Sequence, residues 1–192
     1  VFRQIQNFRC DGLVSSPVFF KQMLDVPGNE RYETSHLKFI GSAGNALTPA
    51  IIERMHERFG PILANIYGST ELALAAAASP EQMQADPTTV GKVPPGTVLK
   101  LYDDQGNEVR PGETGRIFLY NETALRGYTN PATEMVELDG LVEMGDLGYL
   151  DDDGYLHVQS RNDDMIIVGG ENVHPQSVVE VLELSLIHIS EP

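Results

Sequence analysis

Apolar residues recur at helical spacing from the start of the chain. Phe2, Ile5 and Phe8 fall on one side, and Phe19, Met23 and Leu24 follow Pro17. Ser15-Ser16-Pro17 supplies a cap and a first turn for the second helix. Residues 25–36 are polar, carry Gly and Pro, and read as a loop. The run 37–40 predicts a short strand, stopped by Gly41-Ser42-Ala43-Gly44. A clean amphipathic helix follows: Thr48 caps it, Pro49 takes its first position, and Ile51, Met55 and Phe59 repeat every four residues. Gly60-Pro61 ends that helix, and 62–66 reads as a buried strand. Strand, glycine-rich turn, helix and strand in that order predict an α/β unit with a parallel strand pair.

Beyond residue 90 the period changes to two. Runs 98–102 and 116–120 predict strands, with turns at Asp103-Asp104-Gln105-Gly106 and Pro111-Gly112. Two more short runs flank Asp151-Asp152-Asp153-Gly154, a hairpin signal. Closing that hairpin returns Asp146 and Arg161 to one open end, carboxylate beside guanidinium. Spacing alone leaves two readings of this pair: a holder for a polar ligand, or a surface ion pair worth under about 1 kcal/mol. The polar break Asn162-Asp163-Asp164 is the expected domain boundary, and a helix is expected over 175–184.

Composition narrows the classes. The chain has 192 residues, 41% of them hydrophobic and 21% charged, which suits a folded domain rather than a disordered one. A net charge of −15 argues against nucleic acid as a partner. The single cysteine, Cys10, excludes an internal disulfide and fits a reducing compartment. No apolar run approaches the length of a membrane span, so the expected location is the cytoplasm, with at most peripheral membrane contact. The chain begins with Val1 in mid-pattern and is expected to be a piece of a longer protein.

Candidate chemistry lies in Asn65-Ile66-Tyr67-Gly68-Ser69-Thr70-Glu71, at a strand end where α/β sheets place ligands. Glycine there lets backbone approach a phosphate, and hydroxyls and amides donate to its oxygens. One carboxylate beside phosphates suits Mg²⁺, which keeps waters and phosphate oxygens as its other ligands. Asp151, Asp152 and Asp153 read as a solvated turn, and the five histidines show no metal-ligand spacing.

This heptad resembles the Tyr-Gly-x-Thr-Glu motif of the adenylate-forming superfamily: acyl-CoA synthetases, peptide-synthetase adenylation domains and luciferases. Gly145-Asp146-Leu147, Arg161-Asn162-Asp163-Asp164 and Gly169-Gly170-Glu171-Asn172-Val173-His174-Pro175 resemble its later motifs, in the same order. The resemblance implies an α/β fold. Residues 1–161 would be the C-terminal half of a large AMP-binding domain, with sheets and a small barrel-like part. Residues 162–184 would be the hinge and the truncated start of a small α+β domain, and 185–192 match nothing expected of the family. By the same resemblance, Tyr67 stacks on adenine, Asn65 bonds its amino edge, and Ser42, Ala43 and Gly44 pack on its other face. Gly68 lies against the phosphates, Thr70 contacts the α-phosphate, and Glu71 holds Mg²⁺; Thr70 and Glu71 are the implied catalytic pair. Asp146 accepts from the ribose hydroxyls, and Arg161 reaches ribose or phosphate. Asp163 is the implied hinge, and Gly169, Gly170 and Glu171 line the implied CoA channel.

The implied cofactors and co-substrates are ATP, Mg²⁺ and CoA, and the implied reaction is AMP-forming acid–thiol ligation. The small residues Ala73 and Ala75 to Ala78, with the likeness of 115–128 to bacterial fatty-acyl ligases, favour a medium or long fatty acid. An aryl or amino acid with a carrier-protein acceptor is the alternative within the fold; a non-catalytic nucleotide-binding remnant is the alternative outside it. The chain departs from the family pattern at Ser160, where Gly precedes Arg, and at Arg116, where Glu is commoner. The four lysines, Lys21, Lys38, Lys92 and Lys100, all precede Arg161, so none matches the family's catalytic lysine. These 192 residues alone are therefore expected to be inactive.

Overall fold

The computed structural model describes residues 1–130 and 135–162, together with the backbone of 166–168 and 171–173. Asp163, Gly169, Gly170, the side chain of Glu171, the expected helix over 175–184 and the tail 185–192 lie outside the described residues.

The first layer grows from the helical and strand patterns of the N-terminal half. Helix α1 (Phe2–Phe8) buries Phe2 and Ile5 and ends at Arg9 in the left-handed conformation. Phe8 was expected on the same face but is 77% exposed, lying in the last turn where the helix leaves the core. A strand that the pattern did not announce, β1 (Gly12–Ser15), comes next. Its four residues alternate only between exposed and half-buried, and it pairs on one side alone, so it carries little apolar signal. Helix α2 (Pro17–Leu24) is capped as expected, with Ser16 accepting from the Phe19 amide.

Strand β2 (Phe39–Ala43) runs through Gly41 and Ser42, where a stop was expected. Parallel pairing to β1 on one side and β3 on the other overrides the weak strand propensity of these small residues. Helix α3 (Pro49–Phe59) starts at Thr48 and stops at Gly60, burying Ile51, Ile52 and Met55. Thr48 occupies the cap position but its side chain makes no cap hydrogen bond. Strand β3 (Leu63–Ser69) then pairs parallel with β2 and antiparallel with β4 (Ala73–Ala78), giving the order β1-β2-β3-β4. Phe20, Met23, Ile40, Met55 and Leu63 form the centre of the core beneath this sheet.

Helix α4 (Pro80–Ala85) opens with a capping box between Ser79 and Gln82 and leads toward the second sheet. That sheet is antiparallel and curls as half a barrel. Strands β5 (Val98–Tyr102), β6 (Gly115–Tyr120), β8 (Leu141–Leu150) and β7 (Glu137–Leu138) follow in that order, and β9 (Leu156–Arg161) pairs with β8. The hairpin turn at Asp151-Asp152-Asp153-Gly154 forms as expected: the Gly154 amide donates to the Asp151 carbonyl, and Asp151 Oδ1 accepts from the amides of Asp153 and Tyr155.

Two features lock the sheets together. Ala75 and Ala76 of β4 share one buried cluster with Leu101, Ile117, Leu119, Met144 and Leu156. Gly91 stitches the seam, bridging Leu156 while its neighbour Lys92 bridges Ala77. A Cβ at Gly91 would lie 1.9 Å from the Ala77 carbonyl oxygen, and its φ of +92° also favours glycine. Close by, the buried His157 stacks on Tyr149 at 4.6 Å and meets Thr88 Oγ1 at 3.2 Å and Asp151 Oδ2 at 3.4 Å. Arg116, the departure noted above, is answered by Glu143 across β6 and β8, with two hydrogen bonds of 2.8 and 2.7 Å. Strands β10 (Ile166–Val168) and β11 (Glu171–Val173) form a separate antiparallel pair.

Candidate functional site

The parallel strands β2 and β3 deliver their ends to the same edge. Ser42 lies opposite Asn65, and Ala43 opposite Ile66. Ser42 is wholly buried, and its hydroxyl finds no hydrogen-bond partner among the described residues; Thr48 Oγ1 is in the same condition. A buried hydroxyl without a partner is costly, so its persistence at a strand end suits a position that donates to a ligand. Asn65 is buried beside it, and Gly44 continues the chain outward into an exposed turn.

Strand β3 then turns sharply into β4. The pairing slips between Tyr67 and Gly68, and a Cβ at Gly68 would lie 1.9 Å from the Ala73 carbonyl oxygen. Only glycine fits that approach. Ser69 Oγ accepts from the Leu72 amide across the turn, leaving Thr70 exposed at its tip and Glu71 half-exposed. The Tyr128 hydroxyl donates to Glu71 Oε1 at 2.9 Å, and the Leu125 amide donates to the Glu71 carbonyl at 2.6 Å. The carboxyl of Glu71 is held below the usual range, first by its own backbone amide and then by Tyr128. It therefore stays charged at neutral pH.

From the other sheet, Asp146 and Arg161 occupy directly opposite positions on β8 and β9. Arg161 Nε lies 3.6 Å from Asp146 Oδ1; the arginine side chain is 57% exposed and the aspartate 11%. The hairpin spacing predicted that the two share one open end; a β-bulge between Leu147 and Gly148 sets them directly opposite. Across the sheets, the Tyr67 hydroxyl donates to Asp146 Oδ2 at 2.6 Å. Burial pushes the Tyr67 phenol well above its ordinary range, and the Asp146 charge adds to that push, so the hydroxyl remains a donor.

The structure thus brings Ser42, Ala43, Asn65 and Tyr67 to one sheet edge, ties Tyr67 to Asp146, and pairs Asp146 with Arg161. Thr70 and Glu71 stand on the adjoining turn. Among the described residues no three His, Cys, Asp or Glu side chains cluster as a metal site. A lone charged Glu71 suits only an ion that takes most of its ligands from water and phosphate, as Mg²⁺ does. Three residues escaped the sequence reading: Asn121, Leu125 and Tyr128, whose loop reaches back to the turn at Glu71 and Leu72. Their stretch, 115–128, figures in it only for its likeness to fatty-acyl ligases; Gly127-Tyr128, an aromatic behind a glycine in a polar loop, is the local signal for a contact.

An α/β sheet with a glycine turn at its strand ends thus faces a carboxylate–guanidinium pair on a second sheet. The chain belongs to the AMP-binding enzyme family, whose model matches residues 1–129. It is 33% identical to an indoleacetate–CoA ligase of Aromatoleum aromaticum, over 94% of this chain and 36% of that protein. It is 28% identical to a long-chain-fatty-acid–CoA ligase of Salmonella typhimurium, over 94% of this chain and 32% of that protein. The chain therefore spans about a third of the length of these relatives. Among solved structures, the amide bond synthetase McbA of Marinactinospora thermotolerans superposes with a TM-score of 0.86 at 29% identity, covering 94% of this chain and 37% of that one. The anthranilate CoA ligase AuaEII, in complex with anthranoyl-AMP, gives 0.84 at 29% identity, covering 92% and 34%.

Proposed function

We propose that the full-length protein containing these residues is an ATP-dependent acyl-CoA ligase. A substrate carboxylate oxygen attacks the α-phosphorus of ATP, forming the acyl-adenylate and releasing pyrophosphate. The CoA thiolate then attacks the acyl carbonyl, and the bond to AMP breaks. The observation that carries this reading is the Tyr67–Asp146–Arg161 chain of contacts at the end of β3.

In this reading the Tyr67 ring presents a face to adenine while its hydroxyl anchors Asp146. Ser42, Ala43 and Gly44 flank the base, and Asn65 meets its amino edge. Asp146 accepts from the ribose hydroxyls, and Arg161 supplies positive charge beside ribose or phosphate. Gly68 allows the turn to approach the phosphates, and Thr70 donates to the α-phosphate. Glu71 holds Mg²⁺, which supplies charge neutralisation at the phosphates. Catalysis is then mainly positioning and electrostatics. Asp163 serves as the hinge at the start of the small domain over 162–184, and Gly169, Gly170 and Glu171 line the CoA channel. The 192 residues alone are inactive, and the full-length protein works in the cytoplasm.

The favoured substrate is a medium or long fatty acid, in keeping with the long-chain relatives. Ala75, Ala76 and Ala78 are consumed by core packing, so room for a tail rests on Ala73 and Ala77, which are exposed. An aryl acid is the second reading, favoured by the likeness to indoleacetate and anthranilate ligases. Acyl-CoA formation by the full-length protein across a panel of fatty, aryl and amino acids tests both. Turnover of fatty acids is expected; turnover of aromatic acids alone contradicts the fatty-acid assignment and supports the second reading.

A further inference from the structure

The loop after β6 touches the turn at Glu71 three times. Asn121 Nδ2 donates to the Leu72 carbonyl at 2.6 Å, in a buried bond. The Leu125 amide donates to the Glu71 carbonyl at 2.6 Å. The Tyr128 hydroxyl donates to Glu71 Oε1 at 2.9 Å. The first two bonds fix the backbone that immediately follows the Glu71 side chain. The third fixes the carboxylate itself, and it comes from a ring that is 40% exposed. A tyrosine so exposed contributes little to the core, whereas its hydroxyl removes rotational freedom from the one acidic side chain on the turn.

We infer that Tyr128 is a positioning residue that orients the Glu71 carboxylate for a divalent cation bound with the nucleotide. This rests on the reading of Glu71 as the residue that holds Mg²⁺. Glu71 stands alone, without two further acidic or histidine ligands nearby among the described residues. With so few protein ligands, affinity depends on how well that one carboxylate is aimed. Residues that hydrogen-bond a metal ligand typically matter by about 10- to 100-fold in metal affinity.

The test uses the full-length protein, Tyr128→Phe and Glu71→Gln, with ATP binding measured by calorimetry at graded Mg²⁺ and in chelator. Tyr128→Phe is expected to raise the Mg²⁺ concentration for half-maximal ATP binding by about tenfold. Its ATP binding in chelator should match wild type. A structural lesion would instead weaken binding equally with and without Mg²⁺, and that result overturns the inference. If Glu71→Gln shifts the Mg²⁺ dependence and Tyr128→Phe does not, the role of Tyr128 falls while that of Glu71 stands. If neither variant shifts it, the assignment of Glu71 falls and the inference with it.

Discussion

Tyr67 and Asp146 are 79 residues apart in sequence and on different sheets, yet their side chains meet at 2.6 Å. The bond joins the mixed sheet to the antiparallel one at the point where the candidate site lies. Tyr67→Phe removes the donor and leaves a nearly buried carboxylate with one partner fewer. A hydrogen bond to a charged group contributes about 1.5–3 kcal/mol. The full-length variant is expected to lose about that much stability in chemical denaturation, and to bind ATP more weakly.

The same pair gives stability a pH dependence at the alkaline end. The folded-state pKa of Tyr67 is raised above its ordinary value of 10.0. Its stabilising contribution is therefore complete below about pH 10. It is lost as pH rises further, because the unfolded phenol ionises while the folded one resists. Thermal melting of wild type should fall more steeply above about pH 10 than that of Tyr67→Phe. Parallel curves would show that Tyr67 is not the group responsible.

Arg161 offers a contrast between stability and binding. Its contact with Asp146 is long, at 3.6 Å, and the guanidinium is mostly exposed. Arg161→Ala should cost under about 1 kcal/mol of stability. If Arg161 contacts the nucleotide as proposed, ATP affinity should nevertheless drop by about tenfold or more, through loss of a charge-assisted contact. Isothermal titration and denaturation on the same variant separate the two effects.

Arg116 and Glu143 provide a charge-exchange test of the second sheet. Their two hydrogen bonds are short and partly buried. Arg116→Glu alone places two carboxylates together and should cost about 2–3 kcal/mol. Adding Glu143→Arg should restore most of that loss, as read from denaturation midpoints of the single and double variants. An additive loss would mean that the pair is not coupled.

That Asp146 and Arg161 share one end of the hairpin was legible from its Asp-Gly turn, whereas their direct facing was not: a β-bulge between Leu147 and Gly148 shifts the register by one residue to bring it about. Helices α2 and α3 were legible because caps, prolines and four-residue spacing agreed with one another. Strand β1 was not, being short, half-exposed and held mainly by its pairing with β2. The stop expected at Gly41 failed for a related reason: two parallel neighbours outweigh local propensity. The Tyr128–Glu71 bond was illegible because 57 residues and an aperiodic loop separate the partners. Tyr67's hydroxyl bond was hidden likewise, although Tyr67 itself was identified from its motif.

Gly91 isolates the seam between the sheets from the site. Gly91→Ala would drive a Cβ to within 1.9 Å of the Ala77 carbonyl oxygen. The variant should lose more than about 2 kcal/mol, or fail to accumulate as folded protein. Comparing its melting temperature with that of Gly112→Ala, where a Cβ meets nothing within 4 Å, separates the collision from the strain of a positive φ.

Acid-dependent exchange of labelled pyrophosphate into ATP by the full-length protein, with and without Asp146→Ala, tests the central claim most directly. Wild type should exchange label only when a carboxylic acid is present. With Asp146 as the proposed ribose acceptor, Asp146→Ala should lose the activity by about 100-fold while keeping its fold. Absence of exchange with every acid, or exchange undiminished in Asp146→Ala, would contradict the assignment of this site to adenylate formation.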